Sequence, residues 1–362
     1  MKISIIGGSI AGLAAAIRLQ RSGHEVHVWE RRQEFSPGGF GMILNEKSKS
    51  TLQKLDIEVS EISHSVKRYF VDDLSKGLQH EQSIPESFGI ERKLLVQKLR
   101  SKLKTGTLHF GSQFDHFGYK ANGSAQYARF KNGQQVNADL FIGADGIRSR
   151  VREQHLPGTP LNAVKTAEVV GISHFNETPD ALRGSFVKYL KSRDGLAMGM
   201  VPTAHHNVVW YFQCDIQRWP QVFQNPNSRI TWLDRELASW PRFVQNIVRK
   251  GGLENSHLWR TTDRNLPQSF HRKNVVLVGD AAHPLLTFTS QGIGSALEDS
   301  EILGEILDAE NPTTPCTLDH CLMQYFSRRK TILQHRLYGG RKLQNQFLNQ
   351  EPDGLKTVPV CA

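Results

Sequence analysis

Three turns rich in glycine and aspartate, far apart in the chain, hold the residues whose types and spacing best suit chemistry. Each follows a short apolar run, and the segments are 3–12, which ends in Gly12, 138–146, which ends in Asp145-Gly146, and 275–284, which contains Gly279-Asp280. Glycines let the backbone approach a ligand closely, and carboxylates accept hydrogen bonds from sugar and polyol hydroxyls. Together the segments favour one large dinucleotide site assembled from remote pieces.

The first turn reads Gly7-x-Ser9-x-x-Gly12, with serine in place of the second glycine of the dinucleotide pattern GxGxxG. It follows a predicted strand and opens a predicted helix, Ala11–Ser22, whose N–H groups would face a pyrophosphate. Glu30 ends the next strand, near the ~20-residue spacing at which a carboxylate accepts hydrogen bonds from ribose hydroxyls. The alternative is a structural turn with a solvated glutamate. The predicted pyrophosphate contacts are Gly7, Ser9, Ile10, Ala11 and Gly12.

The late turn distinguishes a flavin dinucleotide from a nicotinamide one. Asp280 follows a buried strand, where its carboxylate is suited to the hydroxyls of a ribityl chain. Downstream, Gln291-Gly292-Ile293-Gly294 opens a helix. The free N–H groups at that helix start, at Gly292 and Ile293, would stabilise negative charge on the N1/C2=O edge of a flavin. FAD is therefore the predicted cofactor, and an ordinary strand–turn–helix is the alternative.

Composition excludes several classes of protein. The chain has 362 residues, 38% of them hydrophobic, and a formal charge of +10. No apolar run reaches the ~20 residues of a membrane-spanning helix, and no nucleic-acid module is recognisable, so the charge favours small anionic cofactors. The four cysteines lack metal-type spacing, and we expect free thiols, no metal and a cytoplasmic location. These cysteines are Cys214, Cys316, Cys321 and Cys361.

The apolar pattern predicts an α/β fold with a discontinuous Rossmann-like FAD-binding domain, a second antiparallel-sheet substrate domain and C-terminal helices. Asn132-Gly133 marks a hairpin within Leu108–Asp139, and Ile230–Arg249 has the character of one helical stretch. The predicted domains are 1–70, 90–159 and 264–315 for FAD binding, 71–89 and 160–263 for the substrate, and 316–362 for a C-terminal helical segment.

Further residues fall in the order and at the spacing of a known family. They are Arg92 in Ile90–Leu95, Arg152 after Asp145-Gly146, and the run Tyr325-Phe326-Ser327-Arg328-Arg329. With the three turns, they resemble the FAD-dependent single-component (class A) aromatic hydroxylases, flavoprotein monooxygenases of the p-hydroxybenzoate hydroxylase type.

The resemblance implies roles for individual residues. Arg92 would contact the phosphate and ribitol region, and Asp145-Gly146 would lie near the pyrophosphate and be linked to NAD(P)H use. Phe114 would lie near the adenine, where the family usually has a smaller aliphatic residue. Arg31 and Gly41 would also belong to the cofactor site.

The activity implied by the resemblance is oxygenation. NADH or NADPH would bind transiently and reduce the flavin, O2 would add to form a C4a-hydroperoxide, and one oxygen atom would pass to an aromatic or other electron-rich substrate. One departure stands beside the expected isoalloxazine, where Leu286-Thr287 occupies the place of the family's paired prolines. Because proline lacks an N–H and stiffens a turn, the flavin's local geometry does not carry over from the family.

Three alternatives share this scaffold: a flavin-dependent halogenase, a flavin-dependent reductase, and a flavin-free binding protein of the escort type. None of the six tryptophans lies in the Trp-x-Trp-x-Ile-Pro segment of a halogenase. Glu30, Asp145 and Asp280 argue against a flavin-free protein. The sequence does not identify the substrate, and it does not decide whether the electron donor is NADH or NADPH. It also leaves open whether the reaction is hydroxylation, epoxidation or Baeyer–Villiger insertion, and whether the protein is a monomer or a homodimer.

The strand Leu196–Val201 is predicted to run toward the flavin, with Asn207–Gln213 beside it. Both are free of charged residues, which predicts a larger, mainly apolar or aromatic substrate held by shape. The alternative is that these residues are sheet core. The predicted substrate contacts are Met198, Met200, Trp210, Phe212 and Leu286.

Two basic groups are predicted to be structural. His283, after Asp280-Ala281-Ala282, is expected to be a packed, hydrogen-bonded residue and not a catalytic one. Arg328-Arg329-Lys330 is expected to lie on a solvated helix face.

Overall fold

The computed structural model describes residues 1–34, 40–312 and 314–349. Pro37-Gly38-Gly39, which the sequence predicts to be a loop, Cys361 and the end of the predicted C-terminal segment lie outside them. The strands are β1 (Lys2–Ile6), β2 (Glu25–Trp29), β3 (Gly41–Asn45), β4 (Ser63–Asp73), β5 (Leu78–Glu91), β6 (Leu108–His109), β7 (Phe114–Tyr119), β8 (Ala125–Phe130), β9 (Gln135–Asn137), β10 (Leu140–Gly143), β11 (Thr166–His174), β12 (Ser185–Lys191), β13 (Leu196–Pro202), β14 (Asn207–Asp215), β15 (His257–Thr261), β16 (His271–Arg272) and β17 (Val275–Leu277). The helices are α1 (Ile10–Arg21), α2 (Glu46–Lys54), α3 (Arg92–Ser101), α4 (Arg150–His155), α5 (Pro226–Leu237), α6 (Arg242–Gly251), α7 (Gly292–Glu310) and α8 (Pro315–Asn349).

A mainly parallel sheet forms the first layer, in the order β16-β17-β10-β1-β2-β6. β1 pairs in parallel with β10 and β2, and β10 pairs in parallel with β17. Every residue of β10 and β17 is buried, as expected for strands covered on both faces. These strands come from three separate parts of the chain. The predicted discontinuous Rossmann-like fold is therefore confirmed, and the turns that follow β1, β10 and β17 leave the same edge of this sheet.

A small antiparallel sheet of β7, β8 and β9 lies beside the first layer. The predicted hairpin turn at Asn132-Gly133 joins β8 to β9, and Asn122-Gly123 makes a second turn between β7 and β8. This sheet contributes Phe117 and Phe130 to the core of the parallel sheet.

The second layer is an eight-stranded sheet in the order β15-β11-β14-β13-β12-β4-β5-β3. Its neighbours pair antiparallel except for β12 and β4, which are parallel. The predicted domain boundaries at 70/71 and 89/90 fall inside β4 and β5, and β3 also joins this sheet. More of the N-terminal part of the chain therefore contributes to the eight-stranded sheet than the predicted boundaries imply.

Helices α5 and α6 cover one face of the eight-stranded sheet. The stretch predicted as one helix, Ile230–Arg249, breaks because Pro241 cannot continue α5 and instead caps α6. Val244, Ile247 and Val248 of α6 pack with Trp232 of α5 in the core beneath the sheet.

Helices α7 and α8 complete the molecule: they pack against each other, α7 also packs against α1, and α8 packs against β16 of the parallel sheet. In the part of the chain that the structure describes, no helix is both long and apolar enough to cross a membrane.

Candidate cofactor and substrate site

The turn after β1 requires glycine at two positions. A Cβ on Gly7, whose φ is +114°, would lie 2.3 Å from the carbonyl oxygen of Ala144, and a Cβ on Gly12 would lie 1.9 Å from the carbonyl oxygen of Gly7. These contacts bring the start of α1 against the end of β10. Glycine at both positions is typical of a dinucleotide-binding turn, in which the backbone approaches a pyrophosphate closely.

Ser9, which departs from the strict glycine pattern, has a specific partner. The guanidinium of Arg92 donates a 2.6 Å hydrogen bond to the Ser9 hydroxyl. Burial lowers the pKa of Arg92, while the nearby carboxylates of Asp280 and Glu30 raise it. One cation thus lies near Ser9, Asp280 and Glu30, in a position suited to phosphate oxygens.

The Glu30 carboxylate is held in place by backbone donors. It accepts hydrogen bonds from the N–H groups of Gly8 at 2.9 Å and Arg32 at 3.0 Å. A carboxylate has about four acceptor positions, so two remain for ribose hydroxyls. Arg31, on the same segment, is exposed.

Asp145 has a different use from the one that its motif suggests. Its carboxylate accepts hydrogen bonds from the N–H groups of Arg150 at 2.8 Å and Val151 at 3.2 Å. It also accepts one from the Ser149 hydroxyl. The side chain therefore fixes the start of α4. About one acceptor position of the carboxylate, and the backbone of Asp145-Gly146, are left to face a cofactor.

Asp280 is the most accessible of the acidic groups at this edge. Part of its surface is exposed, yet burial raises its pKa, with His283 and Arg92 opposing the shift. An accessible carboxylate at the edge where the three turns meet suits the hydroxyls of a ribityl chain. With the close-packed glycine turns and the Arg92 guanidinium, it fits FAD.

His283 is structural, as predicted. It is buried, and its Nε2 lies 2.6 Å from Asp299, which also accepts the Gly279 N–H at 2.7 Å. Asp299 thereby holds the turn that presents Asp280. Arg152 supports the same turn by donating to the Ala281 carbonyl at 2.8 Å.

The start of α7 has the predicted positive character. No acidic residue lies in its first turn, and no side chain caps it. Gly292 and Ile293 therefore present backbone N–H groups that suit an anionic edge of the flavin.

The prediction that Arg329 lies on a solvated helix face is wrong. Arg329 is 1% exposed and donates to Asp299 at 2.7 Å and to Glu298 at 2.6 Å. Arg336 makes a bidentate pair with Glu298 at 2.8 and 2.9 Å. Burial alone would raise the pKa values of both carboxyls, but the arginines, and His283 beside Asp299, hold them at about 2. The network fixes α8 to the helix that begins at Gly292.

Two residues predicted for the cofactor site lie within packed regions. Phe114 is buried, with its ring centroid 4.7 Å from that of Phe117, so its ring is part of the core and not open to an adenine. A Cβ on Gly41 would lie 2.5 Å from a methyl group of Val209, so Gly41 lets β3 pack on β14.

The predicted substrate contacts are corrected by the structure. Four of them point toward α5 and α6 and are 0% exposed, because the alternation of the strands puts them on the helix-covered face. The fifth, Leu286, is buried against α8 at Gly340. The four residues on the helix-covered face are Met198, Met200, Trp210 and Phe212.

The opposite face of the sheet is polar where it meets the cofactor layer. The Thr287 hydroxyl donates to Glu168 Oε1 at 2.6 Å, and the Gln213 side-chain amide donates to the same oxygen at 3.1 Å. Thr287, which stands where the family has a proline, therefore joins the two layers through a hydroxyl that proline lacks. Lys188 and Tyr211 lie on this face too. The face is therefore polar, and it differs from the uncharged surface on which the prediction of an apolar substrate held by shape was based.

Sequence reasoning missed Glu168 and Lys188, although a signal was present. Both interrupt otherwise apolar runs, Ala167–Ile172 and Ser185–Leu190, in interior strands of the sheet. A charged residue there is costly to bury unless something pairs with it.

Comparisons with known proteins identify the family. The sequence profile of a family described as "FAD binding domain" matches residues 1–334. A 3-amino-4-hydroxybenzoate 2-monooxygenase of Streptomyces platensis is 27% identical over 85% of this chain and 80% of its own length. Monooxygenase 1 of Arabidopsis thaliana is 26% identical over 84% of this chain and 78% of its own length.

A solved structure has the same fold. HpxO of Klebsiella pneumoniae, crystallised with FAD and uric acid, superposes with a TM-score of 0.86 at 19% identity, over 97% of this chain and 90% of that one.

Proposed function

Because the chain belongs to the FAD binding domain family and is an FAD-dependent monooxygenase, we propose that it takes electrons from NADH or NADPH and hydroxylates a small aromatic substrate. The observation that carries the proposal is the Thr287–Glu168 hydrogen bond. It puts a polar group of the substrate layer beside the loop that follows Asp280. Substrate and flavin would therefore meet where the two layers touch.

The cofactor would be held along its whole length. Glu30 would bind the adenosine ribose, the turn at Ser9 and Arg92 the pyrophosphate, and Asp280 the ribityl chain. The first turn of α7 would stabilise negative charge on the flavin ring. When bound, FAD supplies the hydride and oxygen chemistry, and the protein supplies orientation, charge stabilisation and exclusion of water.

The names of relatives support an aromatic substrate. One is 3-amino-4-hydroxybenzoate 2-monooxygenase, and another is 6-methylsalicylate 1-monooxygenase of Aspergillus terreus. Aromatic rings with hydroxyl or amino groups are electron-rich, which is what oxygen transfer from a flavin requires. We therefore propose a hydroxylated or aminated ring as the substrate.

A reducing, cytoplasmic location is part of the proposal. It is supported by three cysteines, Cys214, Cys316 and Cys321, which are free thiols in the described part of the chain.

The test is turnover by purified protein. A yellow preparation with flavin absorbance is expected, since a flavin-free binding protein would be colourless. NADH and NADPH oxidation is then followed across hydroxybenzoates, aminobenzoates and aminophenols, with peroxide measured to detect uncoupling. The same protein stripped of FAD is the control. Absence of flavin, or flavin reduction that no aromatic compound stimulates, would contradict the proposal.

A further inference from the structure

On the face of the eight-stranded sheet opposite to α5 and α6, Lys188 and Glu168 are charged residues that do not pair with each other. Lys188 lies on β12 and Glu168 on β11, with β13 and β14 between them. They act on each other electrostatically, but no ion pair within 4.0 Å joins them. Three strand spacings and a two-residue offset in register separate their backbones by roughly 16 Å. Both side chains lie on the same face of the sheet, so both face the space above β13 and β14.

The Lys188 end lacks a protein partner. Register places Lys188 between Val71 of β4 and Gly199 of β13. The Tyr211 ring lies across Gly199, where an added Cβ would be 2.4 Å from the tyrosine hydroxyl oxygen. Among the residues that the structure describes, the Lys188 ammonium makes no hydrogen bond or ion pair, although the side chain is mostly buried.

The protonation states at this end are set by burial. Burial lowers the pKa of Lys188 to about 8, with Glu168 opposing the shift, so the ammonium form predominates at neutral pH. Burial, together with Glu168 and Tyr69, raises the pKa of Tyr211, which therefore keeps its proton as a hydrogen-bond donor. An ammonium and a hydroxyl donor side by side suit an anion.

The Glu168 end has acceptors to spare. Glu168 Oε1 receives both the Thr287 and the Gln213 hydrogen bonds, and its Oε2 has no partner among the described residues. Gln213 is 2% exposed, and its Oε1 is a buried atom without a hydrogen-bond partner. A buried acceptor left unpaired costs about 1–3 kcal/mol, so this end suits a ligand that donates hydrogen bonds.

We propose that Lys188 and Glu168 determine substrate specificity: Lys188 binds an anionic group on the ring, and Glu168 with Gln213 binds a hydroxyl or amino group at its other end. This inference rests on the proposed function. It assigns the anchoring roles to two residues on the face opposite to the predicted contacts. The substrate is therefore an aromatic acid with a hydrogen-bond donor.

The test is ligand binding to oxidised holoenzyme, read from the flavin absorbance without NAD(P)H. The probes are the 2-, 3- and 4-hydroxybenzoates, the matching hydroxybenzamides, which have the same shape without the charge, and benzoate, which lacks the donor. We expect at least one hydroxybenzoate to bind tenfold or more tightly than its amide, and more tightly than benzoate. Because no turnover is needed, failure of oxygenation and failure of this inference are separate results.

Substitutions test which residues are responsible for the preference for hydroxybenzoates. Lys188→Met should weaken binding of the preferred carboxylate by roughly tenfold to a hundredfold, as expected for loss of a charge-assisted contact, and leave the amide unchanged. Glu168→Gln should reduce the advantage of the hydroxybenzoate over benzoate. Lys67→Met removes an exposed lysine from β4 of the same sheet and is the matched control, expected to change nothing.

Lys188→Arg keeps the charge and should keep the preference for carboxylates. It also provides a result if the methionine variant does not fold. The inference is overturned if no carboxylate binds, if the wild type prefers amides, if Lys188→Met retains the wild-type preference, or if Lys188→Arg folds but loses it.

Discussion

Replacing Arg329 by methionine should destabilise the protein far more than the same change at its neighbour Arg328. Arg329 is buried and donates three hydrogen bonds, to Asp299, to Glu298 and to the Ser295 carbonyl. Arg328 is 48% exposed at its side chain and pairs with Glu305 on the surface.

The difference in stability between the two variants depends on which charged groups lose their partners. Without Arg329, Glu298 keeps its bidentate pair with Arg336, whereas Asp299 loses its arginine partner and keeps the contacts with His283 and the Gly279 N–H. Leaving a buried charge without its partner costs ~3–5 kcal/mol, whereas losing an exposed ion pair costs ~0–1 kcal/mol.

The assay is urea denaturation of both variants and the wild type, followed by tryptophan fluorescence and by circular dichroism. Arg329→Met should lower the free energy of unfolding by several kcal/mol. It should also weaken FAD retention, because Asp299 holds the turn that presents Asp280. Equal, small effects of the two substitutions would refute the reasoning about the buried network.

Three further predictions concern the cofactor and the substrate. Asp280→Ala should weaken FAD binding roughly tenfold to a hundredfold by removing charge-assisted hydrogen bonds. Titration of the apoprotein with FAD measures this change, and an unchanged affinity in a folded variant would count against the prediction. Glu30→Ala should also weaken FAD binding but leave substrate oxygenation unaltered at saturating FAD, so a large fall in that rate would show that the assigned role is wrong. Because the pKa of Lys188 is about 8, kcat/KM for an aromatic carboxylate should fall as pH rises through about 8, where the ammonium loses its proton. The amide should show no such fall, and a flat profile for the carboxylate would contradict the assignment.

The cofactor layer could be predicted well from the sequence because its signals are local. A buried strand followed by glycine identifies each of the turns at Gly7, Asp145 and Asp280 within about ten residues, and the last two also carry a carboxylate. What the sequence could not supply was the pairing of distant side chains. Ser9 and Arg92 are 83 positions apart, and their hydrogen bond explains a serine that looked like a departure from the motif.

The substrate layer was predicted less well because alternation along a strand defines two faces without saying which one is covered. Met198 and Trp210 were assigned to the site for their apolar character, but α5 and α6 cover that face. The prediction that Arg329 is exposed to solvent is wrong for a similar reason. A run of basic residues predicts solvent exposure, while its acidic partners lie about thirty positions earlier, on another helix.

The most direct test of the account is isotopic. Holoenzyme, NADH or NADPH, and the hydroxybenzoate that binds most tightly are incubated under 18O2, and the product is analysed by mass spectrometry. The account predicts one labelled oxygen atom per product molecule, formed only when FAD and the reduced nicotinamide are both present. A product whose new oxygen comes from water, or consumption of NAD(P)H that yields only peroxide with every aromatic acid tried, would contradict it.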